Sequence, residues 1–116
     1  MHKDDCIFCK IVEKKILSRA VFEDNKVMAF DDINPQAPVH VVVISKSHIE
    51  KVSDLSEESS QLISRMVLAA KDIAREKGVQ ESGYRIVLNC NTDGGQAVFH
   101  LHLHLLGGRA MNWPPG

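Results

Sequence analysis

The residues best suited to chemistry lie in one stretch, His100-Leu101-His102-Leu103-His104-Leu105-Leu106. Imidazole and aliphatic side chains alternate there with period two, the period of a β-strand. On a strand, His100, His102 and His104 share one face, and Phe99, Leu101, Leu103 and Leu105 turn the other way into a core. Alternate residues on one face sit roughly 6–7 Å apart. A row of imidazoles at that spacing suits an extended ligand better than three-point capture of one metal ion. Neutral imidazole is nucleophilic near pH 7 without help from a metal. A single histidine would be no more than a polar position on a strand. Three in register, behind a glycine-rich turn, point to function.

That turn is Cys90-Asn91-Thr92-Asp93-Gly94-Gly95-Gln96-Ala97. Its two glycines let backbone N–H groups approach a ligand closely, as a phosphate requires. Asp-Gly and Gly-Gly also serve plain hairpin turns, but the position just before the histidines favours the ligand reading. Cys6 and Cys9 lie one helical turn apart and can converge on one ion. Cys-x-x-Cys serves both redox and zinc sites. No βαβ pattern surrounds this one, so zinc leads, provided two more ligands exist. Asp32 either closes a turn or accepts from ribose hydroxyls. His40 is either a satisfied core histidine or, beside the histidine strand, a residue that orients a catalytic imidazole. His48 alone carries no signal, and Cys90 reads as inert.

The elements that must position these groups follow from periodicity. Cys6–Val12 reads as a short helix that Asp4 or Asp5 could cap. Ala20–Glu23 and Lys26–Asp31 form a hairpin, and Asp32–Pro38 is a loop stiffened by two prolines. Val39–Ile44, nearly all β-branched, is a buried central strand. A long amphipathic helix begins in Ser53–Glu58 with a serine cap and runs to about Lys77, where Gly78 ends it. Tyr84–Asn89 is a strand, and Gly107-Gly108 ends the histidine strand. The Trp113-Pro114-Pro115-Gly116 tail cannot be helical, and its aromatic suits packing on another chain.

The 116 residues make one domain, 1–116, with 44% hydrophobic and 25% charged residues, as in soluble globular proteins. A net charge of −1 argues against general nucleic-acid binding. A phosphate would therefore be held by backbone N–H groups and imidazoles. No apolar run reaches membrane-spanning length. Met1-His2-Lys3-Asp4-Asp5 is not followed by the apolar stretch of a signal peptide, so a cytoplasmic location is expected. Three cysteines in that setting favour thiols or metal ligands over disulfides.

His-φ-His-φ-His-φ-φ at 100–106 resembles the signature of the histidine triad superfamily of nucleotide hydrolases and transferases. Asp93-Gly94-Gly95-Gln96, Leu106-Gly107-Gly108-Arg109 and Trp113-Pro114-Pro115-Gly116 resemble its Hint branch. So do Ile7-Phe8-x-Lys10-Ile11, Phe30-x-Asp32-Ile33 and Pro35-Gln36-Ala37-Pro38-x-His40. The resemblance implies an α+β fold, with a five-stranded antiparallel sheet, one long helix and a short N-terminal helix. It implies a homodimer that hydrolyses the P–N bond of purine nucleoside 5′-monophosphoramidates through a nucleotidyl-histidine. A non-catalytic purine-nucleotide-binding or scaffolding protein is the alternative. Matching positions place Ile7, Phe8, Ile11, Phe30 and Ile33 around the base and Asp32 at the ribose. Asn89, Gly95, Gln96, Ala97, His102 and His104 match phosphate contacts, with His102 as nucleophile and Gln96, His104 and His40 in support. Two departures stand out. Ala97 replaces a serine usual in the branch. The Cys6/Cys9 pair resembles that of zinc-binding relatives, whose other ligands match His48 and His100.

Overall fold

The computed structural model describes residues 3–116; Met1 and His2, where the segment read as lacking a leader begins, lie outside the described residues. The elements run α1 (Ile7–Val12), β1 (Ala20–Glu23), β2 (Val27–Asp31), β3 (Val39–Ser45), α2 (Ser60–Glu76), β4 (Tyr84–Val87) and β5 (His102–Gly107). The strands form one antiparallel sheet in the order β1-β2-β3-β5-β4. The fold is thus α+β, with one long and one short helix.

Alternation along the strands divides the core in two. Val27, Ala29, Val41, Val43, Leu103 and Leu105 face α2 and pack on Met66, Ala69, Ala70, Ile73 and Ala74. Met28, Phe30, Val42 and Ile44 face the other way, against Phe8, Cys9 and Ile11 of α1. His40, His102 and His104 belong to this second face by the same alternation, because His40 pairs with Leu106 and Val42 with His104. The heavier helix supports one side of the sheet and leaves the other to α1 and the site.

Helix α2 ends as the sequence predicts. Gly78 takes φ +79°, its N–H bonds Arg75 O at 3.1 Å, and Val79 N bonds Ala74 O at 3.0 Å. That pair of bonds and the buried Val79 make a Schellman cap. The start differs from expectation. Val52–Asp54 form a single 3₁₀ turn, Leu55 is extended (φ −72°, ψ 148°), and the helix begins at Ser60. The cause is local. Ser59 Oγ accepts from Ser56 N at 2.9 Å and Ser60 Oγ donates to Glu57 O at 2.8 Å, so serine side chains compete with the helical ladder. At α1 the cap is Cys6, whose Sγ accepts from Cys9 N at 3.3 Å, and neither Asp4 nor Asp5 fills that place.

The histidine strand is also shorter than its alternation predicts. His100 and Leu101 precede the β5 ladder, where Leu101 N bonds Ile49 O at 2.6 Å and Ser45 N bonds Leu101 O at 3.3 Å. β3 ends at Ser45, so Leu101 bonds the last residue of that strand through its carbonyl and the chain beyond it through its N–H. His100 therefore leaves the row of imidazoles.

Candidate active site and metal centre

A cavity of about 420 Å³ opens on the α1 face of the sheet. Ile7, Phe8, Ile11, Phe30, Asp32, Ile33, Gly95, Ala97, His102 and His104 border it. Asn89, His40 and Gln96 do not border it. Ile16, Leu17 and Ser18, which no sequence pattern marks, also border it from the irregular segment between α1 and β1.

Hydrogen bonds fix the proton on each imidazole. His102 Nδ1 donates to His100 O at 2.6 Å, so the lone pair is on Nε2. Gln36 N donates to His40 Nδ1 at 3.0 Å, which puts the His40 proton on Nε2. That Nε2 lies 2.9 Å from His104 Nδ1 and 3.5 Å from Asp32 Oδ2. His104 Nδ1 accepts the shorter bond, and the His104 proton sits on Nε2. The result is one imidazole with a lone pair on Nε2 beside another with a donor there, ring centroids 5.1 Å apart.

Burial keeps both rings neutral. It lowers His104 to about 4, with repulsion from His102 and His40 adding to the effect. Burial also lowers His102 below the ordinary imidazole value, against the opposing bond to His100 O and the charge of Asp32. Phe8 meets His102 edge to face at 5.1 Å and covers it from water. Asp32 Oδ1 accepts from Asn34 N at 2.8 Å, so the residue does close a turn.

Gln96 has its side chain fully engaged. Its Oε1 accepts from Asn91 N at 2.9 Å, and its Nε2 donates to Glu50 O at 2.7 Å and Val98 O at 3.0 Å. It staples the glycine-rich loop to the body of the protein. Gly95 takes φ +86° in that loop, a conformation open to glycine at little cost.

His100 serves a second centre. With Cys6, Cys9 and His48 it forms a group whose ligand atoms lie within 4.8 Å of one another. His100 Nδ1 is 3.2 Å from Cys6 Sγ, 3.5 Å from Cys9 Sγ and 3.2 Å from His48 Nδ1. Zinc bonds to sulfur and nitrogen imply tetrahedral edges of about 3.3–3.8 Å. The donor atoms thus already stand close to that spacing. His100 Nε2 donates to Ser45 O at 2.6 Å, which leaves the Nδ1 lone pair facing the thiols. Two thiols and two imidazoles, mostly buried, suit a soft divalent cation held in a closed site. Asp32, His40 and His104 are also near one another, but the proton on His40 Nε2 occupies the ligand position there, so this trio is a hydrogen-bond relay.

Comparison with known proteins agrees with this architecture. Residues 5–113 match the family described as scavenger mRNA decapping enzyme C-term binding. A HIT family hydrolase of Legionella pneumophila has the same fold with a TM-score of 0.94 and 49% identity, covering 97% of this chain and 100% of that one. The chain belongs to the histidine triad family. A histidine triad protein of Clostridium difficile superposes equally well, at 42% identity over 97% of each chain. Among named relatives, the purine nucleoside phosphoramidase of Escherichia coli is 45% identical over 108 residues, 93% of this chain and 91% of that protein. This histidine triad protein is a hydrolase.

Proposed function

We propose that the protein hydrolyses the P–N bond of purine nucleoside 5′-monophosphoramidates. The carrying observation is the pair of opposed tautomers, with a lone pair on His102 Nε2 and a donor on His104 Nε2. The name of the Escherichia coli relative supports the substrate class. The apolar wall of Ile7, Phe8, Ile11, Phe30 and Ile33 suits a purine, and Asp32 at its edge suits ribose hydroxyls.

His102 Nε2 would attack phosphorus as the P–N bond breaks, and the amine leaves with a proton taken from solvent, which the attacking water of the second step returns. The product is a nucleotidyl-histidine. Water then attacks phosphorus, the bond to Nε2 breaks, and the monophosphate departs with His102 neutral again. His104 Nε2–H and the backbone N–H groups near Gly95 and Ala97 would donate to the phosphoryl oxygens, where charge is concentrated in both steps. Asn89 supports the phosphate side of the pocket only through resemblance, while Gln96 acts by holding the loop.

Zinc fits the Cys6, Cys9, His48, His100 group, and its chemistry there would be structural, because four protein ligands close the site. A homodimer completes the reading. β4 is an edge strand half-buried along its length, and Trp113 is 84% exposed. The test is turnover of an adenosine phosphoramidate with amine and AMP both measured. The wild-type protein should release them in equal amounts, and His102→Ala should lose about 10⁴-fold or more in kcat. Near-normal turnover by His102→Ala would overturn the mechanism.

A further inference from the structure

The Gln36 N–H that fixes His40 belongs to a loop without regular structure, so other contacts must hold it in place. Within the loop, Gln36 Nε2 donates to Asn34 O at 3.0 Å. From outside, the chain leaving β5 grips it. Arg109 Nε donates to Gln36 O at 3.1 Å, and Arg109 Nη1 donates to Ala110 O at 3.0 Å. Gly108, at φ +90°, lies so near Pro38 that an added Cβ would fall 2.8 Å from Pro38 Cβ. In the sequence, Gly107-Gly108-Arg109 only ends a strand. In the fold it backs the loop that carries the His40 acceptor contact.

We propose that Arg109 is a positioning residue for hydrolysis, acting through Gln36 and His40 to keep the His104 proton on Nε2. The inference rests on the reading of His104 as a donor to phosphoryl oxygen. Arg109 is exposed and bonds only backbone carbonyls in the contacts described, so burial of its side chain is not its contribution. Without the clamp on its carbonyl, Gln36 is free to rotate about its Cα, and the preceding peptide can turn its N–H away from His40. The His40 proton can then move to Nδ1, leaving a lone pair on Nε2. His104 answers by taking its own proton on Nδ1, where it donates to His40, and its Nε2 presents a lone pair to the cavity. One proton per ring changes place, and none is gained or lost. The consequence is a change of sign, because the group facing an anionic phosphoryl oxygen becomes an acceptor.

The experiment uses the full-length, metal-loaded protein with ¹⁵N-labelled histidine, comparing wild type, Arg109→Met and Arg109→Lys. Ring ¹⁵N shifts report which nitrogen carries the proton. In wild type, His104 should be protonated at Nε2. In Arg109→Met, an Nδ1-protonated population of His104 should appear, with kcat lower by about 10- to 100-fold and KM little changed. Arg109→Lys, which keeps a donor within reach of Gln36 O, should recover part of both signals. Gly108→Ala, which pushes the same loop from the Pro38 side, should reproduce the shift. Wild-type tautomers in folded Arg109→Met overturn the proposal, and so does a fall in kcat without a tautomer change. Failure of wild type to cleave phosphoramidates would refute the proposed function, while the tautomer comparison would still decide the role of Arg109.

Discussion

His102 donates from Nδ1 to the carbonyl oxygen of His100 at 2.6 Å, while the imidazole of His100 stands among Cys6, Cys9 and His48. One residue thus places its side chain in the group that could hold a metal ion and supplies a tautomer-fixing acceptor with its backbone. A second bond, His100 Nε2 to Ser45 O, pins it to the end of β3. The metal group and the reactive imidazole are joined by two peptide units.

Loss of the metal group should therefore strike stability first and catalysis second. Burial pushes the Cys9 thiol up from its ordinary value, so the empty group favours protonated sulfur and a cation must displace that proton. Elemental analysis of the purified protein should find one zinc per chain, and none would refute the assignment. Cys6→Ser should lose on the order of 4 kcal/mol, lowering Tm by roughly 20 °C. At a temperature where the variant remains folded, its kcat should fall by less than tenfold. A catalytic ion would produce the reverse pattern, with activity abolished at nearly unchanged Tm.

Much of this arrangement was legible in the sequence because it rests on local periodicity. Alternation placed His102 and His104 on one face, and the apolar stripe and Gly78 marked α2 and its end. What escaped detection depends on contacts between distant segments. His100 sits at the right period but leaves the ladder, because β3 runs out at Ser45. The α2 start was misplaced because serines at 56, 59 and 60 bond locally, which composition does not distinguish from capping. Ile16, Leu17 and Ser18 reach the cavity from an aperiodic segment. The engagement of Gln96 with Glu50, 46 positions away, also depends on the folded chain.

Self-association should follow from the free edge of the sheet. β4 presents one side to β5 and leaves its other side without a strand among the described residues. Unpaired strand edges either carry protective features or find a partner. The exposed Trp113 lies in a tail anchored to the same strand, since Arg85 donates to Asn112 O at 2.9 Å. Light scattering should give twice the chain mass of 12.9 kDa at micromolar concentration. Trp113→Ala should shift the equilibrium toward monomer. A wild-type protein of single-chain mass would contradict the dimer.

Asp32 should separate binding from chemistry. The residue borders the cavity; its Oδ1 is engaged by Asn34 N, and its Oδ2 lies 3.5 Å from His40 Nε2. Asp32→Asn retains an oxygen for the turn but removes the charge that would accept two ribose hydroxyls. KM for an adenosine phosphoramidate should rise about tenfold. The kcat should remain within about threefold of wild type, because the His102 and His104 tautomers are set by His100 O and Gln36 N. Equal losses in kcat and kcat/KM would place Asp32 in the chemical step instead.

The pH dependence of stability should carry the imprint of His104. Its folded-state value is pushed down to about 4 from an ordinary 6.5, chiefly by burial and further by His102 and His40. Between those two values the unfolded chain holds more protons at this site than the folded one. Stability therefore rises with pH across that window. The contribution is fully present above about 6.5 and is lost as pH falls toward 4. His104→Gln, which cannot titrate, should flatten this part of the curve relative to wild type. Urea midpoints from pH 4 to pH 8, read as the difference between the two proteins, isolate His104 from every group the two share. Activity should also decline in acid, since protonating His102 consumes the lone pair on Nε2. Parallel midpoint curves for wild type and His104→Gln would show that the ring titrates alike in the folded and unfolded chains, and the neutral, half-buried donor on which the mechanism depends would be wrong.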